Sequence, residues 1–256
     1  MKKNYILFID SGIGGLTTLC ECVKNLNADY LYFADNDNAP YGNHTATEIY
    51  EFLKRIISSL LLKFNIKIIV LACNTATTSA IRKLRLEFSN IIFIGTEPAI
   101  KLAENNKYSK ACCTVTPATS KQKQFKSLVK SSTIKIRLYM PKMLALCIEK
   151  YYTIKTIINF YNLYKELINI SKNSKHCDCI VLGCTHYIFL KEHLCKLTRK
   201  KVFDGNQGVS KQLQKIYNNI PHSKNIKSTI KFFVSNNKIN SKEIYKKIFQ
   251  EILAKV

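Results

Sequence analysis

Short β-branched runs alternate with longer stretches of helical period along this chain, and no other feature constrains its fold as much. Tyr5 to Ile9 predicts a strand that runs into a glycine turn, after which Leu16, Leu19, Val23 and Leu26 fall on one helical face. Tyr30 to Phe33, Ile66 to Ala72 and Ile91 to Ile94 predict three more strands. Between them, Thr45-x-x-Glu48 has the form of a capping box, opening a helix expected to bury Ile49, Phe52, Ile56 and Leu60. Ile81, Leu84 and Phe88 mark another helix. The second half repeats the style. Ala111 to Val115, Ile134 to Tyr139 and Cys179 to Gly183 predict strands, and Met143 to Ile170 is mostly helical. A late strand, Ile230 to Val234, precedes a terminal helix from about Lys242 onward. Such alternation builds parallel sheets wrapped by helices, an α/β fold. A chain of 256 residues holds one large domain or two medium ones, and the pattern places a boundary near Gly95.

Composition narrows the class by exclusion. The most apolar long stretch, Ile56 to Ala72, is interrupted by Lys63, Asn65 and Lys67, so it is not a membrane span. No segment at the start resembles a signal peptide, and the expected setting is cytoplasmic. Ten cysteines are present, but no two have the CxxC spacing of zinc ribbons or thioredoxin-type motifs. Free thiols are therefore expected. The formal net charge of +23 invites a nucleic-acid reading. The lysines are scattered through every segment without a dense basic tract, so the charge reads as compositional bias and nucleic acid is not expected as a partner.

One internal similarity carries more weight than the rest. Ile68-Ile69-Val70-Leu71-Ala72-Cys73-Asn74-Thr75 runs parallel to Cys179-Ile180-Val181-Leu182-Gly183-Cys184-Thr185-His186. Each is a buried strand, a small residue, a cysteine and two polar residues opening a helix. Ligands bind in open α/β sheets where strands end and helices begin. Unpaired amides and the helix dipole there favour a thiolate, lowering a thiol pKa that starts near about 8.5. Asn74 and Thr75 add short polar side chains suited to a carboxylate, and His186 is a proton partner for Cys184.

Asp10-Ser11-Gly12-Ile13-Gly14-Gly15 makes a third polar turn at a strand end. It lacks the Lys-Ser/Thr of a P-loop, and Thr17 stands where a dinucleotide fingerprint has its third glycine. Asp10 would repel phosphate. A guest bearing both carboxylate and ammonium fits better, with turn amides taking the carboxylate and Asp10 the ammonium.

Together these segments resemble the glutamate racemase family of the aspartate/glutamate racemase superfamily. The resemblance rests on Phe8-Ile9-Asp10-Ser11-Gly12-Ile13-Gly14-Gly15-Leu16, on Asp35 with Pro40-Tyr41-Gly42, and on Ala72-Cys73-Asn74-Thr75-Ala76. It continues through Gly95-Thr96-Glu97-Pro98-Ala99, Thr116-x-x-Thr119, Leu182-Gly183-Cys184-Thr185-His186-Tyr187 and Phe232-Phe233-Val234-Ser235. It implies two pseudo-symmetric α/β domains with mainly parallel sheets and an active site in the cleft between them. The C-terminal segment would return to the first domain, giving residues 1–96 with 206–256, and 97–205. It further implies interconversion of L- and D-glutamate without metal, pyridoxal phosphate or other cofactor, supplying D-glutamate for peptidoglycan.

By the same resemblance, Cys73 works on the α-proton of the D-enantiomer and Cys184 on that of the L-enantiomer, assisted by Asp10 and His186. Asp10, Ser11, Tyr41, Gly42, Asn74, Thr75, Thr185 and His186 match substrate contacts. The family often carries a further glutamate after a strand of its second domain. Here Pro141 to Lys150 offers Glu149, with the register open by about a residue. Ile188 stands where many relatives have proline, a difference expected to touch the start of the helix alone. A small-molecule substrate, glutamate, is the expected partner, and a homodimer the working expectation for assembly. The alternatives are an aspartate or other amino-acid racemase of the superfamily, a basic non-catalytic binding protein, and a zinc site on Cys177, Cys179, Cys184 and His186.

Overall fold

The computed structural model describes residues 3–221, 228–235 and 241–254. The chain divides into two compact units, one taking in Met1–Thr96 and Asn206–Val256, the other Glu97–Gly205. Among the described residues no helix is long and apolar enough to cross a membrane.

The first unit opens with β1 (Asn4–Asp10), α1 (Gly15–Asn25), β2 (Asp29–Ala34), α2 (Ala46–Leu61), β3 (Asn65–Leu71), α3 (Asn74–Glu87) and β4 (Ile92–Gly95). The second unit contributes α4 (Ile100–Asn105), β5 (Lys110–Val115), α5 (Pro117–Lys121), α6 (Lys123–Lys130), β6 (Lys135–Tyr139), α7 (Leu144–Thr153) and α8 (Ile157–Ser174). It closes with β7 (Cys179–Gly183), α9 (Lys191–Thr198) and β8 (Lys201–Phe203). The chain then returns to the first unit as α10 (Asn206–Tyr217), β9 (Thr229–Val234) and α11 (Ser241–Ala254).

Both sheets are parallel, ordered β4-β3-β1-β2-β9 and β6-β5-β7-β8. β1 sits in the centre of the first, and Ile6 to Asp10 is buried throughout. A strand covered on both faces reads as a continuous apolar run rather than an alternating one, which is what Tyr5 to Ile9 shows. Numbering each unit's first four strands from its own start gives the same order, 4-3-1-2, in both. In this register β3 and β7 are equivalent, so the sequence similarity around Cys73 and Cys184 is a similarity of position in the fold.

Two elements differ from their sequence expectation. The capping box of α2 forms, with the Glu48 N–H on Thr45 Oγ1 at 3.3 Å and the Thr45 N–H on Glu48 Oε2 at 2.8 Å. Its buried face is Ile49, Leu53, Ile57 and Leu60, while Phe52 and Ile56 stay partly buried at the margin. Phe52 is drawn aside by His44, which meets it edge-on with ring centroids 5.1 Å apart, and by the guanidinium of Arg55 5.5 Å from its ring. The helical stretch Met143 to Ile170 is two helices, broken at Ile154–Thr156, with the Thr156 hydroxyl accepting from the Asn159 N–H at 3.2 Å to start α8.

The returning C-terminal elements brace the loop after β2. β9 pairs with β2 along its length, from Asp29 opposite Thr229 to Ala34 opposite Val234. Beyond it, the Asp37 N–H donates to Ser235 Oγ at 2.9 Å, and the buried Tyr245 of α11 donates its hydroxyl to Asn36 Oδ1 at 2.8 Å. The 35–45 segment is thus fixed from the C-terminal side before it delivers Tyr41 and Gly42.

Candidate active site

In the first unit the strand order reverses between β1 and β3, the place where open α/β sheets take ligands. Asp10 ends β1 there and is fully buried, with Ser11 buried beside it. The Gly12 N–H donates to Asp10 Oδ1 at 2.8 Å, and the Tyr32 hydroxyl donates to the Gly12 carbonyl at 2.6 Å. That amide is therefore committed to Asp10. Gly15 has to be glycine: a Cβ would come within 2.8 Å of the Asp10 Cβ and 3.0 Å of the Ala72 Cβ. Its absence lets α1 start against both strand ends.

Cys73 ends the neighbouring strand and directly precedes α3, in extended conformation with φ −134° and ψ 122°. It is 7% exposed. Asn74 and Thr75, both buried, form the first turn of α3, where unpaired N–H groups gather and the helix dipole is positive. Asn74 Nδ2 donates to the Thr96 carbonyl at 3.4 Å, and the Thr96 N–H donates to Thr77 Oγ1 at 3.1 Å. Thr77 Oγ1 in turn donates to the Leu71 carbonyl at 3.2 Å, so one hydroxyl ties the ends of β3 and β4 together.

Tyr41 and Gly42 lie in a short 3-10 turn, Tyr41–Asn43, after β2. The buried Tyr41 hydroxyl donates to Asp35 Oδ2 at 2.7 Å. Burial raises the Tyr41 pKa well above its ordinary value, Asp35 adds through charge and hydrogen bond, and the nearby Cys73 and Asp10 add further. Tyr41 and Cys73 share one core cluster, and the Asp35 N–H donates to the Asp10 carbonyl at 2.9 Å. Nothing lies within 4 Å of where a Gly42 Cβ would be, so its backbone borders open space.

In the second unit the order reverses between β5 and β7. Gly183 ends β7, where a Cβ would meet Val115 Cγ1 at 2.5 Å and Pro98 Cγ at 2.9 Å. Cys184 follows at 8% exposure, then the buried Thr185 and His186. Across the reversal, the Thr116 and Thr119 hydroxyls at the end of β5 are hydrogen-bonded at 2.9 Å.

Here the two units part. Cys184 does not open an α-helix: His186–Leu190 is a 3-10 turn, tightened by Tyr187 N–H to the Cys184 carbonyl at 3.0 Å and Ile188 N–H to the Thr185 carbonyl at 3.3 Å. A helix starts after both cysteines, as expected, but after Cys184 its first turns are 3-10 and the α-helix begins only at Lys191. What Cys184 has instead is His186, hydrogen-bonded both to its thiol and, through Nε2, to Glu149 Oε2 of α7 at 2.7 Å. Burial pulls the imidazole pKa down. The bonds to Cys184 and Glu149 outweigh it and carry the pKa well above the ordinary histidine value. Glu149, whose role the sequence left open, thus belongs to the Cys184 group.

All ten cysteines are free thiols. Burial pushes the Cys20, Cys22 and Cys112 thiols up to about 12 and Cys179 up to about 11. Cys179 and Cys184 begin and follow β7, which separates them by about 16 Å at roughly 3.3 Å per residue. The zinc alternative, which needs both on one ion, is therefore excluded by geometry. The sequence-derived site residues fall into two groups: Asp10, Ser11, Tyr41, Gly42, Cys73, Asn74 and Thr75 in the first unit, and Cys184, Thr185 and His186 in the second.

Two parallel α/β units of one strand order, each with a cysteine after the equivalent strand, are the arrangement expected from the resemblance to the aspartate/glutamate racemases. No family model matches the chain. The curated glutamate racemase of Clostridium novyi is 40% identical over 255 residues, covering 96% of each sequence. Given that relative, the chain belongs to the glutamate racemase family. Among solved structures, glutamate racemase isoform RacE1 of Bacillus anthracis superposes with a TM-score of 0.82 at 23% identity, over 99% of this chain and 95% of that one. The Escherichia coli glutamate racemase, in complex with L-glutamate and the activator UDP-MurNAc-Ala, has a TM-score of 0.81 at 21% identity, over 98% and 96%. Aspartate racemases are more distant in structure.

Proposed function

We propose that this protein interconverts L- and D-glutamate by two-base proton transfer at the α-carbon, with Cys73 serving one face and Cys184 the other. The observation that carries this reading is the equivalence of the two cysteines, each following the third strand of its own unit beside the first. Two-base racemisation needs a group on each side of a tetrahedral carbon, because the proton leaves one face and another arrives at the opposite face, and two equivalent cysteines supply one each.

Starting from L-glutamate, the Cys184 thiolate takes the α-proton and becomes a thiol. The electron pair left on the α-carbon spreads into the α-carboxylate. The Cys73 thiol then delivers its proton to the other face, giving D-glutamate and a Cys73 thiolate. The reverse turnover uses the same groups in the opposite order. The positive end of α3 favours the thiolate at Cys73, and the His186 side chain is hydrogen-bonded to Cys184. Asp10 receives the substrate ammonium and assists Cys73. Ser11, Tyr41, Gly42, Asn74, Thr75 and Thr185 bind the carboxylates, where donors fixed in a water-poor site are worth most. No metal or pyridoxal phosphate takes part in this scheme. The D-glutamate, formed in the cytoplasm, is destined for peptidoglycan, a reading supported by the activator UDP-MurNAc-Ala in the complex of the Escherichia coli relative.

Purified protein given L-glutamate in D2O, with L-aspartate in parallel, tests the reading. Loss of optical rotation with deuterium at the α-carbon of glutamate is the expected result. Turnover of aspartate in its place would move the substrate, and silence on both from folded protein would overturn the activity.

A further inference from the structure

The outer face of α8 is apolar where a surface helix is ordinarily charged. Leu163, Ile170 and Ser174 turn inward. Ile157, Phe160, Tyr161 and Tyr164, spaced i, i+3, i+4 and i+7, turn outward at 87%, 54%, 56% and 50% exposure. Ile158 joins them, with Ile154 at the break before the helix, both exposed. Six large side chains so placed make an apolar patch of about 600 Å², the upper end of what a monomer leaves uncovered. Aromatic contacts hold the patch in shape. Tyr151 of α7 meets Tyr152 and Phe160 with ring centroids 5.2 and 6.0 Å apart, and Phe160 stacks on Tyr164 at 6.3 Å.

Charge decides what can cover such a face. Residues 138–165 include four lysines, Lys142, Lys150, Lys155 and Lys165, all exposed. They include one acidic residue, Glu149, which is bonded to His186. Glu166, next in the chain, has its Oε2 buried. Lys165 carries its ammonium over the Tyr161 ring, 4.5 Å from the centroid, at the edge of the apolar face. Along this stretch, then, the apolar face has cationic flanks. A two-fold dimer through it would set each copy's lysines against the same lysines, in a chain of formal charge +23. Nucleic acid supplies the opposite charge but nothing apolar to receive Ile157 and Ile158. An anionic bilayer supplies both. Its acyl boundary receives the isoleucines and its headgroup level suits the tyrosines. Acidic headgroups attract the lysines, whose long stems let the ammonium groups stay in water.

We propose that the α7–α8 face docks on an anionic lipid surface, with α8 lying in the plane of the interface. It rests on the surface and does not span it: no helix among the described residues is long and apolar enough to cross a membrane. Docking of this kind combines apolar burial with charge attraction, so losing either weakens it. None of the six apolar residues belongs to the glutamate site, and the proposal stands whether or not the racemase reading does.

Co-sedimentation of the purified full chain with lipid vesicles tests it. Vesicles containing phosphatidylglycerol are compared with vesicles of phosphatidylcholine alone. Wild type is expected to bind the anionic vesicles at least about tenfold better, with the advantage shrinking between about 50 mM and about 500 mM salt. The double variants Ile157→Ser/Phe160→Ser and Lys155→Glu/Lys165→Glu should each bind about tenfold more weakly or worse. Both should unfold like wild type, because every substituted side chain is exposed.

Absence of binding to the anionic vesicles overturns the proposal. So does binding that Ile157→Ser/Phe160→Ser leaves unchanged, since the contact would then lie on another lysine-bearing face. Binding unaffected by Lys155→Glu/Lys165→Glu removes the charge argument and overturns it equally. A wild type that elutes as a dimer and binds no vesicles, beside a monomeric Ile157→Ser/Phe160→Ser variant, would give the face to a second copy of the chain instead.

Discussion

Glu149 Oε2 lies 2.7 Å from Nε2 of the buried His186, so a carboxylate from α7 holds the imidazole that also bonds the Cys184 thiol. The two thiols are thereby supported by different means. Behind Cys73 stands the N-terminus of a 14-residue helix, and behind Cys184 a protonated side chain backed by a carboxylate. A 3-10 turn of five residues aligns fewer peptide dipoles than α3 does, and the Glu149–His186 pair offsets the difference.

Glu149→Gln keeps a hydrogen-bonding side chain and removes the charge, so the His186 pKa falls. The limb of the kcat/KM profile governed by the imidazolium is expected to move to lower pH, with activity lost first on the alkaline side. An unchanged pH profile in the variant would refute the pairing. The stability consequence has the same sign. A histidine pKa raised in the folded state stabilises fully below the unfolded value of about 6.5, and that stabilisation is lost as pH rises through the folded value. The gap in Tm between wild type and variant should therefore be widest in mildly acidic buffer and close towards alkaline pH.

Thiol reactivity should sort the cysteines by exposure and environment. Cys73 and Cys184 are 7% and 8% exposed, while Cys22, Cys112, Cys113 and Cys179 are at 0%. Burial also holds Cys22 and Cys112 as thiols up to about 12. Brief alkylation of native protein near neutral pH, read by peptide mass spectrometry, should modify Cys73 and Cys184 and spare those four. Saturating glutamate should protect Cys73 and Cys184. Equal labelling of Cys112 and Cys184 would contradict the assignment.

Gly183→Ala is expected to destabilise the second unit by about 1–3 kcal/mol, because the new methyl meets Val115, Pro98 and the Thr114 carbonyl at 3.1 Å or less. Urea unfolding measures it. Thr45→Ala, which breaks the α2 capping box, should cost about 1 kcal/mol and leave activity intact. A neutral Gly183→Ala would mean that the close approach of β7 to Pro98 is relaxed at no cost.

Much of this was legible before the structure. The alternating pattern gave the parallel sheets, since strands buried on both faces advertise themselves as apolar runs. The Thr45–Glu48 cap is a local device and reads directly from spacing. β8 was not seen because it has three residues, and its first is one of the Arg199-Lys200-Lys201 basic run. The face of α2 was placed correctly at Ile49 and Leu60 and one position off at Phe52 and Ile56, which pack at the margin of the core, Phe52 also meeting His44 and Arg55. The 3-10 turn after Cys184 escaped the analogy with Cys73, since equal residue types can start helices of different pitch. Glu149 and His186 are 37 positions apart, and the Asp35–Tyr41 bond depends on how a braced loop turns. Such contacts are properties of tertiary packing, and residue spacing carries no record of them.

The central claim is that two thiols work from opposite faces of one carbon, and single-enantiomer exchange in Cys73→Ser and Cys184→Ser tests it most directly. Each variant should lose net racemisation by about 100-fold or more, the scale of one acid–base group, while unfolding like wild type. In D2O, Cys73→Ser should exchange the α-proton of L-glutamate and Cys184→Ser that of D-glutamate, each without inverting it. Racemisation at wild-type rate in either variant, or exchange of the same enantiomer by both, would contradict the two-base account.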